Sequence, residues 1–364
     1  MVDPMTAHST RVPFWDNARF VCVTLVVIGH GIQRLTTDSD NALIAYLFIY
    51  SFHMPAFAMI SGYFSKPSPP TARQMKKVLT DILLPYFIME TIWTLVQYLV
   101  EGKKEFNPST PSWTLWFLLA LGIFRLVLPY LALVRWPLLW SVFFSVGVGY
   151  LNNVDSTFSL SRAIGILPFF VLGWQVREWG LVDRWRATSR VTWWVRASAV
   201  VVLLAWLSVI VASIALWREI DLRFWFFYDD SYKGLGENQW WAGGVRLTLI
   251  VLAVILSAAV FALIPRSQTW MTDFGKSTMY VYLLHSFVLY PIRETGILRH
   301  EHSSALWLLS MILACVAISI ALSSPIVRKI FRPLVEPKPR WLFTELSDEP
   351  AGPSKRDPTG AHRP

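Results

Sequence analysis

Three uncharged apolar stretches of membrane-spanning length restrict the folds open to this chain. They cover residues 197–217, 247–264 and 305–322, the shorter two being 18 residues long. A helix rises about 1.5 Å per residue, so roughly 20 apolar residues cross the hydrocarbon core of a bilayer. A soluble core helix is rarely apolar on every side over such a length. We therefore predict an all-α fold, a polytopic bundle of membrane helices.

The distribution of charge predicts how the bundle is oriented. The apolar pattern predicts about ten spans, at residues 14–34, 42–64, 78–100, 113–134, 136–151, 163–176, 197–217, 243–264, 277–298 and 304–324. With a cytoplasmic N-terminus, the cytoplasmic segments carry 21 of the 33 Lys and Arg residues and the opposite loops carry 9. This bias follows the positive-inside rule and favours two cytoplasmic termini. It also explains the net charge of +9 without nucleic acid.

The predicted spans divide the chain into three parts. Residues 1–13 form a cytoplasmic N-terminal segment, and residues 14–325 form the transmembrane domain. The tail over 326–364 is basic and rich in Pro, and we predict that it is disordered. The loop over 218–240 mixes acidic and aromatic residues. It is interpreted either as a solvated loop or as the entrance for a substrate.

The first predicted span carries three ionisable groups that a membrane helix would ordinarily exclude. Asp16, Arg19 and His30 fall close to one face, because the eleven residues between Arg19 and His30 are nearly three full turns. Ionisable groups inside a membrane indicate a functional site by default. A neutral imidazole is a good general base, and arginine suits phosphate groups. The alternative for His30 is an imidazole hydrogen-bonded within the bundle.

Further polar candidates are scattered over the other spans. Ser61, Glu90 and Arg125 each interrupt an apolar run, as do His53, Trp116, Tyr282 and His285. Glu90 could orient an imidazole or hold a proton, whereas Arg125 could bind phosphate with Arg19 or reach the headgroups. The remaining five would position substrates, although Ser61 also fits simple helix packing and Trp116 an interfacial belt. The sequence contains no HExxH or CxxC metal motif, and it predicts no tightly bound cofactor.

Five segments of the sequence resemble the acyltransferase 3 family of integral membrane O-acyltransferases, in particular its fucose 4-O-acetylase-like branch. They are WDNAR followed by GH (15–19 and 29–30), FHMPAFAMISGYF (52–64), LWFLLAL (115–121), LPFFVLGW (167–174) and YVYLLH (280–285). The resemblance covers residues 11–325. Many members carry an arginine at the position of Asp16, so this chain departs from the pattern there.

The resemblance implies an O-acetyltransferase in the bacterial plasma membrane. Its partners would be membrane lipids, acetyl-CoA as a cytoplasmic co-substrate, and a glycolipid, lipid or polysaccharide of the cell envelope as the acceptor. By the same resemblance, His30 is the helix-one histidine of the family and Arg19 its arginine. Asp16 and Glu90 would tune the local charge around a general base at His30. The acyl chain length, the identity of the acceptor and the oligomeric state stay open.

Two other functions also fit an intramembrane set of charges. A proton-coupled transporter or a lipid or sugar flippase could use the same groups as a path or relay. Such proteins commonly show an internal repeat, and none is evident in this sequence. A membrane glycosyltransferase would need acidic residues in the first outer loop. Asp38 and Asp40 occur there with unspecific spacing.

Overall fold

The computed structural model describes residues 11–102, 106–188, 192–237, 239–294 and 305–342. Within these ranges the chain is helical and contains no strand. The α-helices in chain order are α1 Pro13–Ile32, α2 Asp40–Tyr50, α3 His53–Tyr63, α4 Ala72–Val78, α5 Leu84–Glu101, α6 Trp116–Leu131, α7 Pro137–Val148, α8 Leu160–Glu178, α9 Leu181–Ala187, α10 Thr192–Ala212, α11 Ile214–Glu219, α12 Leu222–Trp225, α13 Ala242–Leu263, α14 Trp270–Gly275, α15 Thr278–Glu294, α16 Ala305–Leu322 and α17 Pro325–Val335.

The helices confirm a polytopic membrane bundle. Seven helical stretches in the described part of the chain are long and apolar enough to cross a membrane. Two shorter apolar helices, α6 and α7, and the 17-residue α15 occupy three more of the predicted spans. Each predicted span therefore coincides with helix over most of its described residues. This chain is a multi-pass membrane protein.

Several predicted spans differ from the helices observed; the span predicted at 197–217, for example, ends as α10 at Ala212, and α11 begins at Ile214. The span predicted at 42–64 is broken into α2 and α3 at Ser51 and Phe52. Pro55 lies in the first turn of α3 and has no N–H to continue the hydrogen bonds of α2, which explains the break. The span predicted at 113–134 begins only at Trp116, because residue 113 adopts a positive φ of 49°. The break between α2 and α3 directly precedes His53, and the irregular segment before α6 contains Trp113.

Helices α3 and α8 approach each other closely at two glycines. A Cβ atom at Gly62 would overlap the backbone of Phe170, and one at Gly173 would overlap the backbone of Met59. Small residues allow membrane helices to pack backbone against backbone, where dispersion contacts replace the hydrophobic effect. This contact fixes the separation of two helices that line both cavities of the protein.

Helix α1 lies at the centre of the bundle, against α3, α14, α15 and α16. The Asn17 side chain holds its first turns in place. Its amide nitrogen donates to the carbonyls of Pro265 and Ser267, and its oxygen accepts from the hydroxyls of Thr269 and Thr272. A buried amide is tolerated in a membrane only when its donors and acceptors are satisfied. Asn17 thereby fixes the axial position of α1.

The C-terminal prediction needs one correction. The predicted disordered tail begins at residue 326, yet the segment Pro325–Val335 forms α17. Ser324 caps this helix by accepting from the backbone N–H of Val327, and Pro325 at its start is already in a helical φ. Ile326 and Ile330 are exposed, which is typical of a helix lying in a membrane interface. Residues 343–364 of the predicted tail, like residues 1–10 of the predicted N-terminal segment, lie outside the described residues.

Candidate active site

A cavity of about 510 Å³ opens beside the first turns of α1. We call it the Arg19 cavity. Among the described residues, its lining contains no carboxylate and four cationic side chains, Arg19, Lys66, Lys77 and Arg125. Hydroxyl and amide groups of Ser61, Ser65, Ser68 and Gln74 complete its polar surface. Cations with hydroxyl donors and no lining acid suit a phosphorylated ligand.

The Arg19 guanidinium is held in place on two sides. Its Nη1 lies 3.0 Å from Oδ1 of Asp16, one helical turn away, and its Cζ lies 4.4 Å from the ring centroid of Phe64. Asp16 is almost fully buried, whereas the Arg19 side chain keeps 28% of its surface exposed. Asp16 therefore orients a guanidinium that still faces the cavity. The structure places Asp16 with Arg19, fourteen residues before His30.

A second cavity, of about 400 Å³, lies near the other end of α1. We call it the His30 cavity. Its polar lining consists of His30, Gln33, Tyr50, His53, Thr110, Ser156, Ser159, Arg162, Asp229 and Arg293, with Trp113 and Trp116 among the aromatic residues. Histidine is absent from the lining of the Arg19 cavity and occurs twice in this one. Only this cavity presents groups that can exchange a proton with a hydroxyl near neutral pH.

The three intramembrane histidines differ in their hydrogen bonds. Nδ1 of His53 lies 3.0 Å from the carbonyl oxygen of Ile49, and Nδ1 of His285 lies 3.0 Å from that of Val281. A carbonyl only accepts, so both rings carry their proton on Nδ1. His30 makes no hydrogen bond to any described residue, and its ring centroid lies 5.5 Å from that of His285. His30 is therefore the imidazole with both nitrogens available to a ligand.

An irregular loop brings Trp113 against His30. The two rings are stacked with centroids 6.0 Å apart and an interplanar angle of 21°. Trp113 has a positive φ of 49°, which residues other than glycine seldom adopt and which tends to occur at functional sites. Glu90 fixes this loop, because its carboxylate accepts from the backbone N–H of Ser112 at 2.9 Å and from its hydroxyl at 2.6 Å. Glu90 thus acts on the loop next to His30.

A partly buried ion pair forms another wall of the His30 cavity. Nη2 of Arg162 lies 2.7 Å from Oδ2 of Asp229, and the Ser161 hydroxyl donates to Oδ1 of the same carboxylate at 2.8 Å. The Arg162 guanidinium lies 5.0 Å from the ring centroid of Trp116. Asp229 lies in the loop between α12 and α13. In that loop, desolvation and the neighbouring Asp229 raise the pKa of the Asp230 carboxyl above its ordinary value.

Four helices contribute to both cavities. Helix α1 supplies Arg19 and His30, and α6 supplies Arg125 and Trp116. The layer of protein between the two cavities, which we call the wall, is thinnest at α3 and α8. On α3, Met54 lines the His30 cavity and Phe57 the Arg19 cavity; on α8 the corresponding pair is Ile166 and Phe170. Three or four residues are about one turn, so roughly 5–6 Å of protein separates the two cavities along these helices.

The structure brings the predicted site residues together in two groups. Arg19, Arg125 and Ser61 line the Arg19 cavity, while His30, His53 and Trp116 line the His30 cavity. His285 lies directly behind His30. Tyr282 lines neither cavity, because its hydroxyl donates to the carbonyl of Thr114 at the start of α6.

The sequence did not indicate most of the polar lining of the His30 cavity, which includes Trp113, Arg162, Asp229 and Arg293. Trp113 has the composition of an interfacial belt, and Arg162 and Arg293 lie near the ends of predicted spans, where basic residues commonly reach headgroups. Asp229 belongs to the acidic and aromatic loop interpreted as a possible substrate entrance. That mixture of acids and aromatics was the only signal in the sequence, because the pairing of Asp229 with Arg162 joins distant segments.

A comparison with known protein families identifies the family of this chain. Residues 12–324, most of the chain, match the profile of the acyltransferase 3 family, described as an acyltransferase domain. The chain belongs to the acyltransferase 3 family. The family predicted from the five sequence segments is confirmed, and with it a membrane acyltransferase that uses an acyl donor and a hydroxyl-bearing acceptor.

One curated relative shares a shorter stretch with this member of the acyltransferase 3 family. Nodulation protein NolL of Mesorhizobium japonicum is 33% identical over 102 residues, which is 26% of this chain and 27% of that protein. Because the chain matches about a quarter of that relative's length, the similarity supports the family alone. No solved structure matches the chain.

Proposed function

We propose that this protein is an O-acetyltransferase of the bacterial plasma membrane, in the fucose 4-O-acetylase-like branch of its family. Acetyl-CoA, or another short acyl-CoA, is the donor. The acceptor is a hydroxyl of a cell-envelope glycolipid, lipid or polysaccharide. The observation that carries the proposal is the pair of cavities on α1, one cationic and one containing histidine, with about one helical turn between them.

The Arg19 cavity suits the phosphates of coenzyme A. Arg19 and Arg125 face it with Lys66 and Lys77, and no acidic side chain lines it to repel an anion. The positive-inside bias puts this end of α1 at the cytoplasm, where acyl-CoA is found. For the thioester to reach His30, about 16 Å from Arg19 along α1, the elongated pantetheine arm has to cross the layer of protein near Phe57 that separates the two cavities.

The His30 cavity suits proton transfer from the acceptor. A neutral His30 nitrogen takes the proton of the acceptor hydroxyl, while the oxygen attacks the thioester carbonyl carbon. The tetrahedral intermediate then collapses with cleavage of the carbon–sulfur bond. The imidazolium returns its proton to the departing thiolate, giving the ester and free coenzyme A. An acyl-histidine intermediate would use the same groups in two steps.

Purified protein incubated with radiolabelled acetyl-CoA and a panel of alkyl glycosides tests the proposal. Label is expected in the glycoside for wild type and for Arg135→Gln, a control in the exposed loop between α6 and α7. His30→Ala is expected to lose transfer. No transfer and no thioester hydrolysis by correctly folded wild type would contradict the proposal. Glycoside transport in liposomes without any acyl-CoA would instead support a transporter.

A further inference from the structure

The outer side of the His30 cavity continues into a third cavity rich in arginine. This space, of about 260 Å³, is lined by Arg34, Arg223 and Arg293 with Gln33, Thr37, Tyr46, Phe224 and Phe227. We call it the Arg223 cavity. Gln33, Phe227 and Arg293 line both spaces, so the two adjoin. Among the described residues, the Arg223 cavity thus presents three guanidinium groups and no carboxylate.

Carboxylates support these arginines from behind the surface of the Arg223 cavity. Glu294 lies 2.8 Å from Nη2 of Arg34 and 3.7 Å from Nε of Arg293, and Asp221 lies 3.5 Å from Nε of Arg223. Neither acid lines the cavity. These ion pairs hold the three guanidinium groups in place, and other parts of the guanidinium groups face the cavity.

Unsatisfied donors surround the two adjoining cavities. The Nε atoms of Arg162, Arg223 and Arg293 are buried and make no hydrogen bond to any described residue, although those of Arg223 and Arg293 lie 3.5 and 3.7 Å from the carboxylates of Asp221 and Glu294. A buried donor without an acceptor is uncommon and costly. A carboxylate or phosphate on a ligand would supply acceptors in the planar geometry that arginine prefers. The Asp229 carboxylate of the His30 cavity is already occupied by Arg162 and Ser161.

We infer that the acceptor is an acidic glycan, whose carboxylate or phosphate binds the arginines of the Arg223 cavity while a nearby hydroxyl reaches His30. The inference rests on the proposed transfer to a hydroxyl and adds the chemical class of the acceptor. Gln33 and Arg34 lie about one helical turn beyond His30. The reacting hydroxyl and the anionic group would therefore be separated by about one sugar ring.

Matched alkyl glycosides that differ in a single charged group test the inference. Octyl glucuronide and octyl glucoside 6-phosphate carry the anion, whereas octyl glucoside and the methyl ester of the glucuronide do not. We expect acetyl transfer to the anionic compounds with a kcat/KM about tenfold or more above the neutral ones. Arg223→Gln should reduce this preference towards unity, because it removes a guanidinium that would bind the anion. Arg135→Gln should keep the preference.

A binding measurement separates this inference from the proposed transferase activity. Equilibrium dialysis of the same four glycosides without acetyl-CoA should show the same preference and the same loss in Arg223→Gln. If wild type binds the anionic glycosides selectively and transfers no acetyl group, the transferase proposal fails and the acidic ligand stands. Equal binding of the glucuronide and its methyl ester would overturn the inference. So would displacement of the glucuronide by phosphatidylglycerol in nanodiscs, which would assign the arginines to lipid headgroups.

Discussion

The Arg19 cavity and the His30 cavity share four lining helices, yet they hold different chemistry. The first combines lysine and arginine with hydroxyl groups, and its acid, Asp16, is buried behind Arg19. The second contains two histidines, an Arg162–Asp229 pair and a tryptophan-bearing loop. A cationic pocket binds anions but has no group that readily releases and recovers a proton near neutral pH. This difference is why we propose that one end of α1 binds the donor and the other transfers the proton.

Replacing His30 should have the largest effect on activity, and it tests whether proton transfer takes place in the His30 cavity. His30→Gln keeps a polar side chain in the His30 cavity and removes the proton acceptor. We expect kcat for acyl transfer to fall about 10²- to 10⁴-fold, the usual contribution of a general base, with little change in the KM for acyl-CoA. Steady-state transfer of labelled acetyl groups measures both constants.

His53→Gln is the matched comparison in the same cavity. The His53 ring already donates to the carbonyl of Ile49, so we expect a smaller loss of kcat. If His53→Gln abolished transfer and His30→Gln preserved it, the base would be His53. The chemistry would then remain in the same cavity but move from α1 to α3.

The loop beside His30 gives a test of stability as well as rate. Glu90→Gln replaces a buried carboxylate that accepts two hydrogen bonds from Ser112 with a group that offers only one acceptor oxygen. We expect a loss of about 1–3 kcal/mol in the free energy of unfolding and slower transfer, because the loop carrying Trp113 is released. Thermal unfolding in detergent measures the loss. Glu178→Gln, at an exposed position, is the control, and equal stability of the two variants would remove Glu90 from this role.

The wall between the cavities can be probed at the contact of α3 with α8. Gly62→Ala would force a methyl group into the backbone of Phe170, and we expect it to destabilise the bundle by about 1–3 kcal/mol. Gly147→Ala is the control, because a Cβ at this helical position meets nothing within 4 Å. It should be neutral or stabilising by up to about 1 kcal/mol. Identical unfolding temperatures for the two variants would show that the helices separate easily at this wall.

The sequence predicted the features that depend on local periodicity. The apolar runs became helices, and Arg19 and His30 lie on one helix as predicted. The break between α2 and α3 was not predicted, because an apolar run continues through Ser51 and Phe52. Trp113 beside His30 required a left-handed backbone that its own residue type disfavours. The Glu90–Ser112 and Arg162–Asp229 contacts depend on helix packing, which hydropathy does not encode.

The smallest expected effect concerns the Arg19 cavity. Arg19→Gln removes one guanidinium from a pocket that keeps three other cations, so the KM for acyl-CoA should rise about tenfold while kcat changes little. Asp16→Asn removes the charge that pairs with Arg19, and it should leave the KM unchanged or lower it. Arg135→Gln controls for the loss of one positive charge.

Added salt should weaken acyl-CoA binding more in wild type than in Arg19→Gln, because the variant has fewer charge contacts with the ligand that salt can screen. A fall in kcat at unchanged KM in Arg19→Gln would place this arginine in the chemical step and remove the distinction between the two cavities.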